Sequence, residues 1–249
     1  MIFFTDIDNT LIFSERRKPK NSICVEYKDN EPITYMTENS IKLYKELCEK
    51  ITVVPVTTRS KEQFMRIENI RNSKYAIVAN GAKLLVNGIE DKEWTDYFIS
   101  YVKNFNDVFE KCRNILKNNF PDCHVRMADD VFMYSRLDEN VHTAYIMLSE
   151  ECKNDNVTIS ESHGKIYIIP KQIGKDYAIK YFCQRYNIKD KTVSAGDSLM
   201  DMNMLLSTDM AIAMCGELEE NIKGNKNIIW TSSPTDTEFI LKTVLSLRK

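Results

Sequence analysis

The chain has seven cysteines (Cys24, Cys48, Cys112, Cys123, Cys152, Cys183 and Cys215), but no Cys-x-x-Cys pair among them. Their odd number and scattered spacing exclude a disulfide framework and the ligand pattern of a structural zinc site. They read instead as small apolar groups, several of them in the core. No apolar run is long enough to span a bilayer, and the run at the start of the sequence is far too short for a secretory signal. A cytoplasmic protein without a membrane partner is therefore expected. An excess of basic charge is also missing. With a net charge of −2 there is no global field to attract nucleic acid, so an anionic ligand must be drawn in by local groups. No Gly/Ser linker, low-complexity tract or internal repeat marks a boundary. What remains is ordinary globular usage, 43% hydrophobic and 28% charged, in 249 residues that suit one large domain or two small ones.

Ile2, Phe3 and Phe4 form a short apolar run of the kind that fills a buried parallel strand, and Asp6 and Asp8 follow it on alternate residues. A strand ending in acids places them at its carboxyl edge, where open α/β sheets bind ligands. Two carboxylates so close repel each other, more so when buried, and a hard cation such as Mg²⁺ would relieve the cost. A calcium loop would need further acids and a glycine where Leu11, Ile12 and Phe13 stand. An ordinary acidic turn after a strand is the plain alternative.

The pattern downstream alternates strand and helix. Glu15 to Lys20 is charged, bears a proline and reads as exposed connection. Thr37-Glu38-Asn39-Ser40 offers capping groups for a helix in which Ile41, Leu43, Tyr44 and Leu47 recur through Lys50. Ile51 to Val56 reads as a second buried strand ending in Thr57-Thr58-Arg59-Ser60, with a helix expected over Lys61 to Ile70. Tyr75 to Ala79 is a third strand that ends at Asn80-Gly81, and Lys83 to Val86 with Asn87-Gly88 predicts a hairpin. From about residue 87 the rhythm loosens. Trp94 to Phe120 is expected to be largely helical, with Tyr97, Phe98, Tyr101, Val102, Phe105, Val108, Phe109 and Ile115 on an apolar face. Strand-like runs follow at Val131 to Tyr134, Val157 to Ile159 and Lys165 to Ile169, with a helix over Tyr145 to Cys152. The alternation returns with Lys175 to Tyr186 (helix), Thr192 to Ala195 (strand), Leu199 to Leu206 (helix), Met210 to Ala213 and Ile228 to Trp230 (strands), and a helix from Asp236. The fold class predicted is α/β: a doubly wound, mostly parallel, Rossmann-like sheet domain over residues 1–86 and 172–249, interrupted by a smaller α+β insertion over 87–171.

The strand ends carry groups suited to phosphate. Thr57 and Thr58 supply hydroxyls before a helix start, which presents unpaired N–H donors to an anion. Asp197, with Asp201 four residues on, brings further acids to the same edge, and Gly196 allows a tight turn before them. Lys175 begins a helix, where a cation opposes the helix dipole and gains only if an anion or carboxylates lie near. Each has a bland reading of its own: Thr57 as an N-cap, Asp197 as a turn residue, Lys175 as a solvated lysine. Their order and spacing together are not explained that way.

That order resembles the haloacid dehalogenase superfamily of phosphohydrolases, along the whole chain. The motifs that carry the resemblance are Asp6-Ile-Asp8-Asn9-Thr10, Val56-Thr57-Thr58-Arg59, Lys175, and Gly196-Asp197-Ser198-Leu199-Met200-Asp201. Asn80-Gly81-Ala82 and Ala211 to Met214 are similar to further family signposts. The insertion is similar to the cap of the Cof-like and sucrose-phosphatase-like branch, and its size fits the sucrose-phosphatase side. Thr58 departs from the branch's usual glycine, and its side chain is expected to crowd the phosphate loop.

The resemblance implies a Mg²⁺-dependent phosphohydrolase acting on a small phosphorylated metabolite such as a sugar phosphate. Asp6 would be the nucleophile, Asp8 the acid and base, and Thr57 and Lys175 the groups that hold the phosphoryl oxygens and offset charge. Asp6, Asp8 (through its backbone carbonyl), Asp197 and Asp201 would serve the metal, and Thr58, Arg59, Asn80 and Gly81 would line the substrate. The insertion would choose the leaving group, with Arg126, Arg136, Asp138, Glu139 and His142 as its polar candidates. The residues themselves leave two other readings open: a phosphomutase or non-catalytic sensor on the same scaffold, and a receiver-domain switch. The acid pair on the first strand and the inserted lobe disfavour the receiver domain. The sequence carries no sign of oligomeric state.

Overall fold

A short apolar run buried on both faces belongs inside a parallel sheet, and in the computed structural model β1 (Ile2–Thr5) lies there, all four residues buried. The structure describes every residue except 138, 163, 223, 226 and 249, together with the side chain of residue 162. After β1 the chain forms β2 (Phe13–Ser14), β3 (Ser22–Lys28), β4 (Glu31–Thr37), α1 (Glu38–Lys50), β5 (Thr52–Pro55) and α2 (Lys61–Met65). It continues through β6 (Tyr75–Val78), β7 (Lys83–Val86), β8 (Ile89–Glu90), α3 (Lys92–Val102), α4 (Asn106–Asn119), β9 (His124–Ala128), β10 (Phe132–Arg136), α5 (Val141–Glu151), β11 (Val157–Ser162) and β12 (Lys165–Pro170). Then come α6 (Lys175–Arg185), β13 (Thr192–Gly196), α7 (Met202–Leu206), β14 (Met210–Ala213), α8 (Glu219–Ile222), β15 (Ile228–Trp230) and α9 (Thr237–Ser246).

The chain divides into two units, Met1–Asp91 with Lys175–Lys249, and Lys92–Gly174. In the first, five parallel strands run in the order β15-β14-β13-β1-β5. Successive side chains of β1 go to opposite faces, as the pleat requires. Phe3 joins Tyr44 and Leu47 of α1 and Ile240, Leu241 and Val244 of α9 in one apolar cluster. Phe4 meets the ring of Phe182 on α6 edge to face at 5.8 Å. Helices therefore cover both faces, which is the doubly wound arrangement. Capping follows the sequence: Thr37 accepts from the Ser40 N–H at α1, and Asp236 from the Phe239 N–H at α9.

Two small antiparallel sheets extend this unit, β6-β7-β8 and β2-β4-β3. In the first, Asn87 and Gly88 both take positive φ (51° and 75°) in the turn between β7 and β8, as the Asn-Gly signal predicts. The second lies mostly in residues 22–37, for which the sequence pattern predicts no strand. Its Asp29-Asn30 turn has φ of 52° and 67°, so a two-residue turn signal was present there. Helix α2 is also shorter than the predicted Lys61–Ile70. Ile67 and Ile70 stay fully buried, but the Glu68 N–H bonds the carbonyl of Val25 on β3 instead of continuing the helix.

In the second unit an antiparallel sheet, β11-β12-β10-β9, accompanies α3, α4 and α5. The expected long helix breaks at residues 103–105 into α3 and α4. Its buried stripe is Trp94, Phe98, Val102, Phe105, Phe109, Cys112 and Leu116, while Tyr97 is 54% exposed. Strand β9 was not foreseen; its residues are half-buried or exposed and give little apolar signal. No helix among the described residues is long and apolar enough to cross a membrane.

Candidate active site

Three adjacent parallel strands bring the sequence motifs to one edge. Thr5 on β1 pairs with Ala195 on β13 and with Pro55 on β5, so Asp6, Asp197 and Thr57 all follow the carboxyl ends of neighbouring strands. This is the edge at which open α/β sheets bind ligands. The loop after β1 is rigid. The Leu11 and Ile12 N–H groups donate to the Ile7 carbonyl, Asn9 donates back to Ile12, and Asn9 takes φ 58°, a conformation asparagine tolerates better than most residues. Ile7, Leu11 and Ile12 are fully buried and anchor the turn.

Asp6 is 5% exposed. Its Oδ1 accepts from Lys175 Nζ at 2.5 Å and its Oδ2 from Thr10 Oγ1 at 3.2 Å. Lys175 opens α6, is itself buried, and also donates to Asp201 Oδ1 at 2.6 Å. The lysine at a helix start is thus explained by the two carboxylates it serves. Asp201 turns its other oxygen back to the backbone N–H groups of Asp197 and Ser198 and to Ser198 Oγ, which pins the loop after β13. Gly196 is required here by close approach: a Cβ on it would lie 2.5 Å from the Asp201 Cβ.

Asp6, Asp197 and Asp201 form a buried group whose candidate ligand oxygens lie within 4.8 Å of one another. Three carboxylates face one ammonium. Burial pushes the Asp6 carboxyl up to about 7, with Asp201 and Asp8 adding to the rise and Lys175 opposing it. Burial likewise raises Asp197 to about 8, reinforced by Asp6 and Asp201. For Lys175, burial would lower the pKa, but Asp201 and Asp6 outweigh it and hold the ammonium above its ordinary range. A hard divalent cation would cancel the carboxylate repulsion, and an all-oxygen set suits one, so these residues can hold a metal.

A pH dependence follows. Both carboxyls have folded values above the ordinary 3.8. Stability from keeping them protonated is complete below that value and is lost as pH rises through about 7 and about 8. Cation-free protein is therefore expected to melt at progressively lower temperature between about pH 5 and pH 9. Added Mg²⁺ should reverse the loss, since a ligand that binds only the native state stabilises by about 2.7 kcal/mol at 100 times its Kd. Thermal unfolding across pH, with and without Mg²⁺, checks this; a flat cation-free profile contradicts it.

Thr57 is fully buried, and its Oγ1 accepts from the Arg59 N–H at 3.1 Å. The loop it starts is braced by the next turn: Asn80 N–H donates to the Thr57 carbonyl and Ala79 N–H to the Arg59 carbonyl. Ala79, Asn80 and Gly81 all take positive φ, and Asn80 and Gly81 are buried. Ala79 and Asn80 thus act on the loop through the backbone, with Gly81 next in the same turn. Thr58 is half-buried between these anchors.

Arg59 and Asp8, expected at substrate and metal respectively, hold each other. Arg59 Nε and Nη2 donate to Asp8 Oδ2 and Oδ1 at 2.7 and 2.8 Å, a two-pronged pair. The Asp8 carboxylate is 44% exposed and stands apart from the buried group of three. Arg59 also donates to Glu26 on β3, which the sequence reading missed. A shift in the β3–β4 register around Glu26 lets Val25 and Glu26 both be buried, which breaks the alternation that would have signalled either one. Ser198 and Thr10 were likewise not singled out, though both lie inside quoted motifs.

In the second unit, His142 Nδ1 lies 2.9 Å from Glu161 Oε1 and its ring stacks on Tyr145. Arg126, Arg136 and Glu139 are exposed, and Asp138 lies outside the described residues. Tyr134 and Tyr167 stack across β10 and β12 at 6.3 Å, with Lys165 Nζ 5.6 Å from the Tyr134 ring centre.

Residues 138–236 match the family model of haloacid dehalogenase-like hydrolases. No curated protein sequence matches the chain. The chain is similar in structure to the sucrose-phosphatase of Synechocystis sp. solved with sucrose and phosphate (TM-score 0.68, 14% identity, 99% of this chain and 97% of that one). It is also similar to a trehalose-6-phosphate phosphatase related protein (0.62, 18%, 99% and 98%). A third similar structure is the IMP-bound IMP-nucleotidase of Plasmodium falciparum (0.64, 15%, 98% and 68%). At these identities the structures establish a shared fold. The match to haloacid dehalogenase-like hydrolases thus covers residues 138–236, and the fold shared with the solved phosphatases covers nearly the whole chain.

Proposed function

We propose that the chain is a Mg²⁺-dependent phosphomonoesterase that works through an aspartyl-phosphate on Asp6. One observation carries the reading: a buried carboxylate at the sheet edge, held by Lys175 and grouped with Asp197 and Asp201. An attacking carboxylate can approach a phosphate dianion only where charge between them is offset; Lys175 supplies part of that offset, and a cation held by the carboxylates would supply the rest. Asp6 Oδ attacks phosphorus while the ester oxygen departs with a proton from Asp8, two residues along the same loop. Water then cleaves the acyl phosphate, with Asp8 taking back its proton. Thr57 and Lys175 hold non-bridging oxygens, and Thr58 and Arg59 border the phosphate loop, with Asn80 and Gly81 in the turn beside it. Mg²⁺ held by Asp6, Asp197 and the Asp8 carbonyl, with Asp201 supporting, would supply the remaining positive charge.

The insertion is proposed as the cap that selects the leaving group, and a sugar phosphate as the substrate class. The size of the insertion and the fold shared with phosphatases named for sucrose and trehalose-6-phosphate support that choice. The test is phosphate release from sugar phosphates, nucleoside monophosphates and an aryl phosphate, with Mg²⁺ and in excess chelator. We expect release from sugar phosphates with Mg²⁺ and none in chelator. Full activity in chelator defeats the metal assignment; inertness toward every monoester defeats the reading.

A further inference from the structure

Glu26 is a buried acid with no part in the reaction written above, and it is 1% exposed. A carboxylate taken out of water is costly unless it is paired and hydrogen-bonded. Glu26 meets that condition fully. Its Oε2 accepts from Arg59 Nη1 at 2.9 Å and from Thr34 Oγ1 at 3.0 Å, and its Oε1 accepts from Arg66 Nε at 3.1 Å. The opposite edge of the Arg59 guanidinium is the fork that holds Asp8. One planar cation thus spans two carboxylates that come from separate loops and strands.

The two carboxylates differ in freedom. Asp8 is 44% exposed at its side chain, whereas the Glu26 side chain is 1% exposed and fixed from three directions. An arginine side chain has several rotamers to lose, and a fork fixes its partner only if it is itself fixed. Glu26 is the anchored end and Asp8 the end being aimed. We infer that Glu26 is a positioning residue: it holds the far edge of Arg59, and Arg59 sets the plane of the Asp8 carboxylate for proton transfer to the leaving oxygen. This rests on the proposed role of Asp8 as proton donor.

The test compares an alkyl phosphate, whose leaving oxygen needs a proton, with an aryl phosphate, which hardly does. Asp8→Asn should lose about 10²–10⁴-fold in kcat on the alkyl ester and far less on the aryl ester. Glu26→Gln keeps the shape but not the charge, and misplacement of a reacting group by about 1 Å costs on the order of 100-fold. We therefore expect a loss of about 10- to 100-fold on the alkyl ester, little on the aryl ester, and KM unchanged. The double variant should be no worse on the alkyl ester than Asp8→Asn alone, since the two changes remove one effect. Thr34→Val, which deletes a single bond to Glu26, should show the same leaving-group preference at smaller size and serves if Glu26→Gln does not fold. Equal loss on both esters, or losses that multiply in the double variant, overturns the inference while Asp8→Asn keeps its preference. If Asp8→Asn itself shows none, the proton-donor reading fails and the inference goes with it.

Discussion

Asp6→Asn is expected to abolish turnover and to leave no phosphoenzyme. The amide keeps the size of the carboxylate, so the loop from Ile7 to Ile12, held by its own backbone bonds and buried apolar side chains, should stay as it is. What disappears is the attacking charge at Oδ. Asp201, which shares Lys175 with Asp6, is not free to take over, since it is committed to Lys175 and to the turn at Asp197 and Ser198. The loss should reach the detection limit, roughly 10⁴-fold or more, judging by what removal of a nucleophile costs elsewhere. Mg²⁺ affinity must be measured alongside, because Asp6 also belongs to the acidic group. Acid-quenched, hydroxylamine-sensitive phosphoenzyme in the Asp6→Asn protein would overturn the assignment.

Lys175→Met should damage both stability and activity, and in a way a cation partly repairs. The ammonium is buried between Asp6 and Asp201, and methionine replaces its stem with apolar volume while removing the charge. Three buried carboxylates would then lack any counter-charge. Removing one partner of a buried ion pair costs about 3–5 kcal/mol. The carboxyls can escape part of this by staying protonated, so the loss of stability should be small at about pH 5 and grow toward pH 8. Saturating Mg²⁺ should restore much of the melting temperature, yet not phosphoryl transfer, which loses a donor aimed at the transferring group. A variant as stable and active as the native protein at pH 8 without cation would contradict the buried-cluster account.

How much of this was legible beforehand depends on the range of each interaction. The strand ends could be read because burial of a short apolar run and its polar terminus are local properties. Ile2–Thr5, Met210–Ala213 and Ile228–Trp230 form strands where the runs predict them. Lys175 was odd in isolation, a cation at a helix start, and that oddness pointed toward partners without naming them; Gly196 read only as a tight turn, and the close approach of Asp201 that requires it was not legible. The flap of β3 and β4 went unread because Glu26 occupies a register shift, where the period of two fails.

The sequence by itself determined the parallel α/β scaffold, the interruption by a smaller unit, and which side chains stand at strand ends. Only the tertiary structure decided who meets whom. Lys175 and Asp201 are 26 positions apart, Asp8 and Arg59 are 51, and Lys175 and Asp6 are 169. A hydrogen bond or ion pair needs heavy atoms about 3 Å apart, and separations in sequence carry no such information. The strand order β13-β1-β5 supplies it, by fixing three carboxyl ends side by side about 5 Å from neighbour to neighbour. That spacing is why Asp6 joins Asp197 and Asp201, while Asp8, farther along the loop that leaves β1, pairs with Arg59 and through it reaches Glu26.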